Sequence, residues 1–184
     1  MNKLLKKSAR ILGVLGLSVA CVGCAAGVKG TPGMKLYSAG DHQQAVPMLM
    51  EEVKAGEVSA RYPLGLAYRD GNVVEHDPVK AEILLTGAAV GGDPRAVAEV
   101  RKMLRDDERC PKDKELHNLW GSMVMYRNLI TGVYEFNNAP RNSLRRMAEI
   151  YADPCEGRPV QAEAAKSLNA VSMGSRRIWV YVPG

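Results

Sequence analysis

The sequence predicts an all-α protein built from helix-turn-helix hairpins, on three observations. Small and apolar residues recur at the spacing of a helix face, Asp-Pro pairs stand where helices begin, and single glycines stand where they end. With 46% hydrophobic and 24% charged residues over 184 positions, the chain is globular and long enough to bury a core without staples.

The elements follow in chain order. Met1 to Arg10 is basic and leads into the apolar run Ile11 to Ala20 and then small residues, the layout of a bacterial secretory signal peptide. The run is too short for a lasting bilayer helix, which takes about 20 residues, so residues 1–23 are expected to be removed. Lys3, Lys6, Lys7 and Arg10 belong to this segment; without them, 21 of the 25 basic residues face 20 acidic ones. The formal charge of +5 therefore marks an export signal, because the near-neutral remainder offers no broad basic footprint for nucleic acid. One Phe and two Trp also make a poor base-stacking surface. Residues 24–33, rich in Ala and Gly, read as a flexible tether.

Residues 34–174 form the helical domain, divided into about four hairpins at 33–56, 59–92, 94–134 and 140–173. In the second, Ala60, Leu64 and Tyr68 recur every fourth residue, and Gly71 fits a left-handed stop. Asp77-Pro78 and Asp93-Pro94 each place a capping carboxylate before a Pro suited to a first helical turn. Ala81, Leu84, Leu85, Ala88 and Ala89 fall at i, i+3, i+4, i+7 and i+8, an Ala-rich face that a neighbouring helix can approach closely. Further helices are expected at 94–106, 113 to about 135, 140–152 and 160–173, the last with Ala162, Ala165 and Leu168 at similar spacing. The tail, 175–184, contains Ile178-Trp-Val-Tyr-Val182 before a Pro and reads as extended. Two roles stay open for it: a cap along the last hairpin, or a peptide that adds to a partner.

Two resemblances sharpen this outline. The run Ala60, Leu64-Gly65, Tyr68, Gly71, Val74, Asp77, Lys80-Ala81, Leu85, Ala88-Ala89, Gly92 and Ala96 resembles the Sel-like repeat, a relative of the tetratricopeptide repeat. Val73 departs from the family pattern, which has a second Gly there. Upstream, Ala45, Leu49, Glu52-Val53 and Gly56 map onto Ala81, Leu85, Ala88-Ala89 and Gly92, and the corner around Gly40-Asp41 resembles that of a tetratricopeptide hairpin. The resemblance implies a short right-handed α-solenoid in which each hairpin buries its apolar face on its neighbours. It also implies a binding scaffold that holds an envelope protein or peptide segment on a concave inner face. Tyr37, Tyr62 and Arg69 are the candidate contact residues; Tyr68 is read as packing.

Leu17 to Gly27 resembles the lipobox of bacterial lipoproteins, with Cys24 as the acylated residue and Cys21 as the alternative register. That resemblance implies a lipid anchor, and the lack of Asp after Cys24 resembles outer-membrane sorting, so the chain would face the periplasm. Cleavage at Cys24 leaves Cys110 and Cys155, an even pair in an oxidising compartment. Each is expected in the turn between the two helices of its hairpin, the third and the fourth. Equivalent turns of adjacent repeats lie on one edge, so the two could bond if their Cα atoms come within about 7 Å; the alternative is two unpaired thiols. Cysteine-rich Sel-like proteins bridge within a repeat, so this pairing departs from theirs.

Motifs for chemistry are sparse. His42, His76 and His117 lack metal-ligand spacing, and His42 and His76 border the Asp of a helix start, which suits local turn bonding. G-x-S-x-G, S-x-x-K and a phosphate-cradling glycine loop are all missing. No metal, cofactor or catalytic residue is expected. Arg141, Arg145 and Arg146 read as a solvated face, and the soft run Met123, Met125, Tyr126, Ile130 and Tyr134 reads first as core, with a partner groove as the second reading. The expected function is an outer-membrane lipoprotein scaffold in an envelope complex; polysaccharide-export lipoproteins use similar repeats, by analogy only. A soluble periplasmic interaction module is the alternative. A cell-wall-acting enzyme is a further one, and it would need a buried ionisable cluster that the sequence does not display.

Overall fold

The computed structural model describes residues 30–105, 110–127, 134–137 and 141–173. Signal segment 1–23, both lipobox cysteines, most of the tether and the tail from 175 lie outside the described residues. Eight α-helices are described: α1 (Pro32–Ser38), α2 (His42–Lys54), α3 (Arg61–Asp70), α4 (Pro78–Val90), α5 (Pro94–Arg105), α6 (Pro111–Ser122), α7 (Arg141–Ala152) and α8 (Ala162–Ser172). A 3₁₀ turn, Val58–Ala60, leads into α3. Helices pack in sequence-order pairs, α1 on α2, α3 on α4, α5 on α6 and α7 on α8. None is long and apolar enough to cross a membrane among the described residues.

Local chemistry sets the helix ends. Asp77 caps α4 by accepting the Lys80 N–H at 2.9 Å, and Gly71 ends α3 in the left-handed region at φ 67°. Gly40, Gly56 and Gly92 close α1, α2 and α4 at φ 86°, 93° and 94°. After each, the next residue donates its N–H to a carbonyl five positions back: Asp41 to Leu36, Glu57 to Glu52 and Asp93 to Ala88. This recurring Schellman-type closure is the physical content of the spacing shared by Gly56 and Gly92.

The core has two parts, with α4 between them. The smaller gathers Met34, Ala45, Val46, Leu49, Ala60, Leu64 and Ala67 from the first two hairpins. The larger runs from Leu85, Ala88 and Ala89 through α5 to α8 and includes Trp120, Met147, Ile150 and Tyr151. Leu84 turns toward the first part and Leu85 toward the second, so α4 is buried on more than one side. Gly65 lets α3 and α4 close up: a Cβ there would stand 2.9 Å from Leu85 Cγ.

Two features depart from the expected layout. The second helix of the third hairpin, expected to run from 113 to about 135, stops at Ser122. Val124–Arg127 (β1) and Tyr134–Asn137 (β2) then pair antiparallel, Val124 opposite Asn137 and Arg127 opposite Tyr134. Met123 already has extended backbone, φ −80° and ψ 111°. The physical reason is that Val124-Met-Tyr and Tyr134-Glu-Phe are β-formers, and a short apolar run supports helix and strand periods alike. Of the soft apolar run, Met123 is buried, Met125, Tyr126 and Tyr134 fall on the strands, and Ile130 lies outside the described residues. The second departure is that α8 packs on α4, two hairpins away, a contact that strictly nearest-neighbour stacking does not make.

Candidate functional site

Two places concentrate polar chemistry. The first is a face made by the leading helices α1, α3 and α5. Tyr37 stands on α1, Tyr62 and Arg69 on α3, and Arg95 and Glu99 on α5. Arg69 Nη1 donates to Glu99 Oε2 at 2.7 Å while its Nε donates to Asp70 Oδ1 at 2.7 Å. The Arg95 guanidinium lies 4.4 Å from the Tyr62 ring centroid, a cation–π geometry, and also binds Asp93 at 2.7 Å. Tyr37 stacks on His42 with ring centroids 4.3 Å apart.

Electrostatics couple the members of this face. Burial pushes the Tyr37 hydroxyl up from its ordinary value, Asp70 adds to the rise and Arg69 opposes it. Burial likewise raises Tyr62, with Arg95 opposing. Arg69 is held further toward its charged form, first by its hydrogen bond to Asp70. The three candidate contact residues are therefore neighbours on one half-exposed face, presenting two tyrosine rings between paired charges. The partly exposed pairs of Arg69 with Asp70 and Glu99 add little to stability, about 0–1 kcal/mol, which leaves them available to exchange partners.

The repeat-signature residues sit elsewhere. Ala60, Leu64, Ala81, Leu85, Ala88 and Ala89 are buried, as are Gly65 and Gly92. Tyr68 packs against the smaller core with Lys80 5.1 Å from its ring centroid. His76 Nδ1 donates to the Arg69 carbonyl at 2.7 Å and His117 Nδ1 to the Arg101 carbonyl at 2.8 Å, both local structural bonds. Arg146 binds Glu115 and Glu149 on an exposed face. Among the described residues, no group of three His, Cys, Asp or Glu is placed to hold a metal ion.

The second place escaped sequence reasoning. Arg158, in the connection between α7 and α8, lies between Glu82 of α4 and Asp113 of α6. Its Nη1 donates to Glu82 Oε2 at 2.9 Å and its Nε to Asp113 Oδ2 at 2.8 Å, and Nη2 also binds Asp113. Gln161 Nε2 donates to Glu82 Oε1 at 3.2 Å. All three charges are largely buried, Asp113 with only 4% of its side chain exposed. Burial raises the Glu82 carboxyl above its usual range, and Arg158 pulls the other way. For Arg158, burial works against the charge, but Glu82 and Asp113 outweigh it and the net shift is upward. Nearby, Trp120 Nε1 donates to the buried Tyr151 hydroxyl at 2.8 Å, and burial holds that hydroxyl neutral.

Cys110 and Cys155 are bonded, with Cα atoms 5.9 Å apart. Cys110 caps α6 three residues before Asp113, and Cys155 precedes Arg158 by three. Lys112 binds Asp153 at 2.9 Å beside them. Disulfide, ion pair and buried triad thus lie on one edge and tie the connection 153–161 to α4 and α6. Each carboxylate accepts from the guanidinium, so the triad joins three hairpins. Glu82, Asp113 and Arg158 lie 45 and 76 positions apart along the chain, and no spacing rule links them.

No family model, no curated protein and no solved structure matches the chain.

Proposed function

We propose that the chain is an interaction scaffold, a short right-handed solenoid of about four Sel-like or tetratricopeptide-like hairpins. Its concave face would be formed by α1, α3 and α5 and would hold a peptide or segment of an envelope protein. The observation that carries this reading is that Tyr37, Tyr62 and Arg69, from two different hairpins, stand on one half-exposed face with Arg95 and Glu99 of a third. Tyr and Arg are the residues that most often dominate binding at protein interfaces. The Cys110–Cys155 bond suits an oxidising compartment. Together with the export-type N-terminus it supports placement in the periplasm, anchored through acyl chains on Cys24, or on Cys21, to the outer membrane. Participation in polysaccharide export is the assembly we favour by analogy.

The test compares the wild-type chain with Tyr62→Ala/Arg69→Ala in crosslinked capture from detergent-solubilised envelopes. Loss of one specific wild-type partner from the variant is expected; an unchanged partner set would refute the face. Palmitate labelling of Cys24→Ala and Cys21→Ala decides the anchor, and labelling that survives in both would remove it. A soluble periplasmic module would then be the remaining form of the scaffold.

A further inference from the structure

We propose that the Cys110–Cys155 disulfide is a redox-operated latch that controls whether the α7–α8 hairpin stays docked on α4. The sulfur bridge and the Arg158–Asp113 pair join the same two short segments, 110–113 and 155–158. The Arg158 N–H closes a turn on the Cys155 carbonyl at 3.1 Å, so the crosslink sets where the guanidinium starts from. From there Arg158 reaches Glu82 on α4, and Gln161, whose carbonyl accepts the Ala165 N–H at the start of α8, binds the same carboxylate. Thus one chain of contacts runs from Cys155 to the α4–α8 interface.

Burying three charges carries a desolvation penalty that only close, correctly placed partners offset. With the bridge intact, Arg158 is presented to Asp113 at high effective concentration, as in any tethered pair. Reduction removes the tether: a dithiol supplies two electrons and two protons, the S–S bond breaks, two thiols remain, and the dithiol becomes its own disulfide. The connection 153–161 then has to hold a buried guanidinium by its ion pairs alone. Water competes for Arg158, Glu82 and Gln161, and α8 loosens from α4. The smaller core, which contains none of these residues, stays closed.

Amide hydrogen exchange on the full chain tests the latch, with segment 162–172 read against 42–54. On reduction by a dithiol, protection in 162–172 is expected to fall about tenfold more than in 42–54, and reoxidation restores it. Arg158→Met with the disulfide intact is expected to reproduce the same selective loss. An equal fall in both segments would make the bridge a general staple, and no fall would make it inert; either result overturns the latch. So would selective loss on reduction together with an unchanged Arg158→Met chain.

Discussion

Among the described residues, the first two hairpins bury no aromatic side chain and end their helices in glycine turns, whereas the last two bury Trp120 and Tyr151 and are crosslinked by a disulfide. In the former, Ala45, Ala60, Ala67 and Ala81 let backbones come close, and the ends are shaped by Gly40, Gly56 and Gly92. In the latter, Trp120, Met147, Ile150 and Tyr151 fill the space, and Arg158 and Cys155 fix a connection that has no repeat signature. Close helix contact needs precise backbone geometry, which recurs in sequence. Large side chains and crosslinks instead tolerate irregular geometry, and there the repeat pattern fades.

Substitutions can break or sharpen that contrast. The largest effect is expected from Trp120→Ala, about 4 kcal/mol by denaturant unfolding, because it empties the larger core and removes the indole N–H that Tyr151 accepts. Leu49→Ala, the counterpart in the smaller core, is expected to lose about 3 kcal/mol; equal losses would weaken the contrast. Arg158→Met is expected to destabilise by about 3 kcal/mol at neutral pH, since it leaves two buried carboxylates unpaired. In the small-residue half, Gly65→Ala should lose about 2 kcal/mol through overpacking against Leu85. Gly92→Ala should lose about 1 kcal/mol, because a Cβ is strained at positive φ.

The smallest effect is one of pH. Glu82 has a raised pKa in the fold, so the folded state holds its proton more tightly than the unfolded chain. Its contribution is fully present below the ordinary value of 4.5 and is lost as pH rises through the folded value. Stability of the wild type relative to Glu82→Gln should therefore decline across that window, measured by unfolding at successive pH values. A rise instead would mean that Arg158 outweighs burial at this carboxyl.

Legibility followed the same division. The helices at 94–105, 141–152 and 162–172 stand within about two residues of the expected ranges, because periodic apolar faces and Asp or Gly ends are local signals. The candidate contacts Tyr37, Tyr62 and Arg69 could be named from their positions in the pattern, but their mutual placement through Asp70, Arg95 and Glu99 could not. Strands β1 and β2 were hidden, since Met123 to Tyr134 satisfies helical spacing as well as strand composition. The Cys110–Cys155 pair was legible in part: an even cysteine count in an export-type chain allowed the bond, and the 5.9 Å between the Cα atoms is what the tertiary structure adds.

By itself, the sequence determined where most helices begin and end and which faces they bury, because capping bonds and helical periodicity span only a few residues. Only the tertiary structure decided that α8 returns to α4, that Arg158 enters between Glu82 and Asp113, and that α4 serves two cores. Those outcomes depend on groups far apart in the chain, where the desolvation of buried charge and the filling of space are settled jointly.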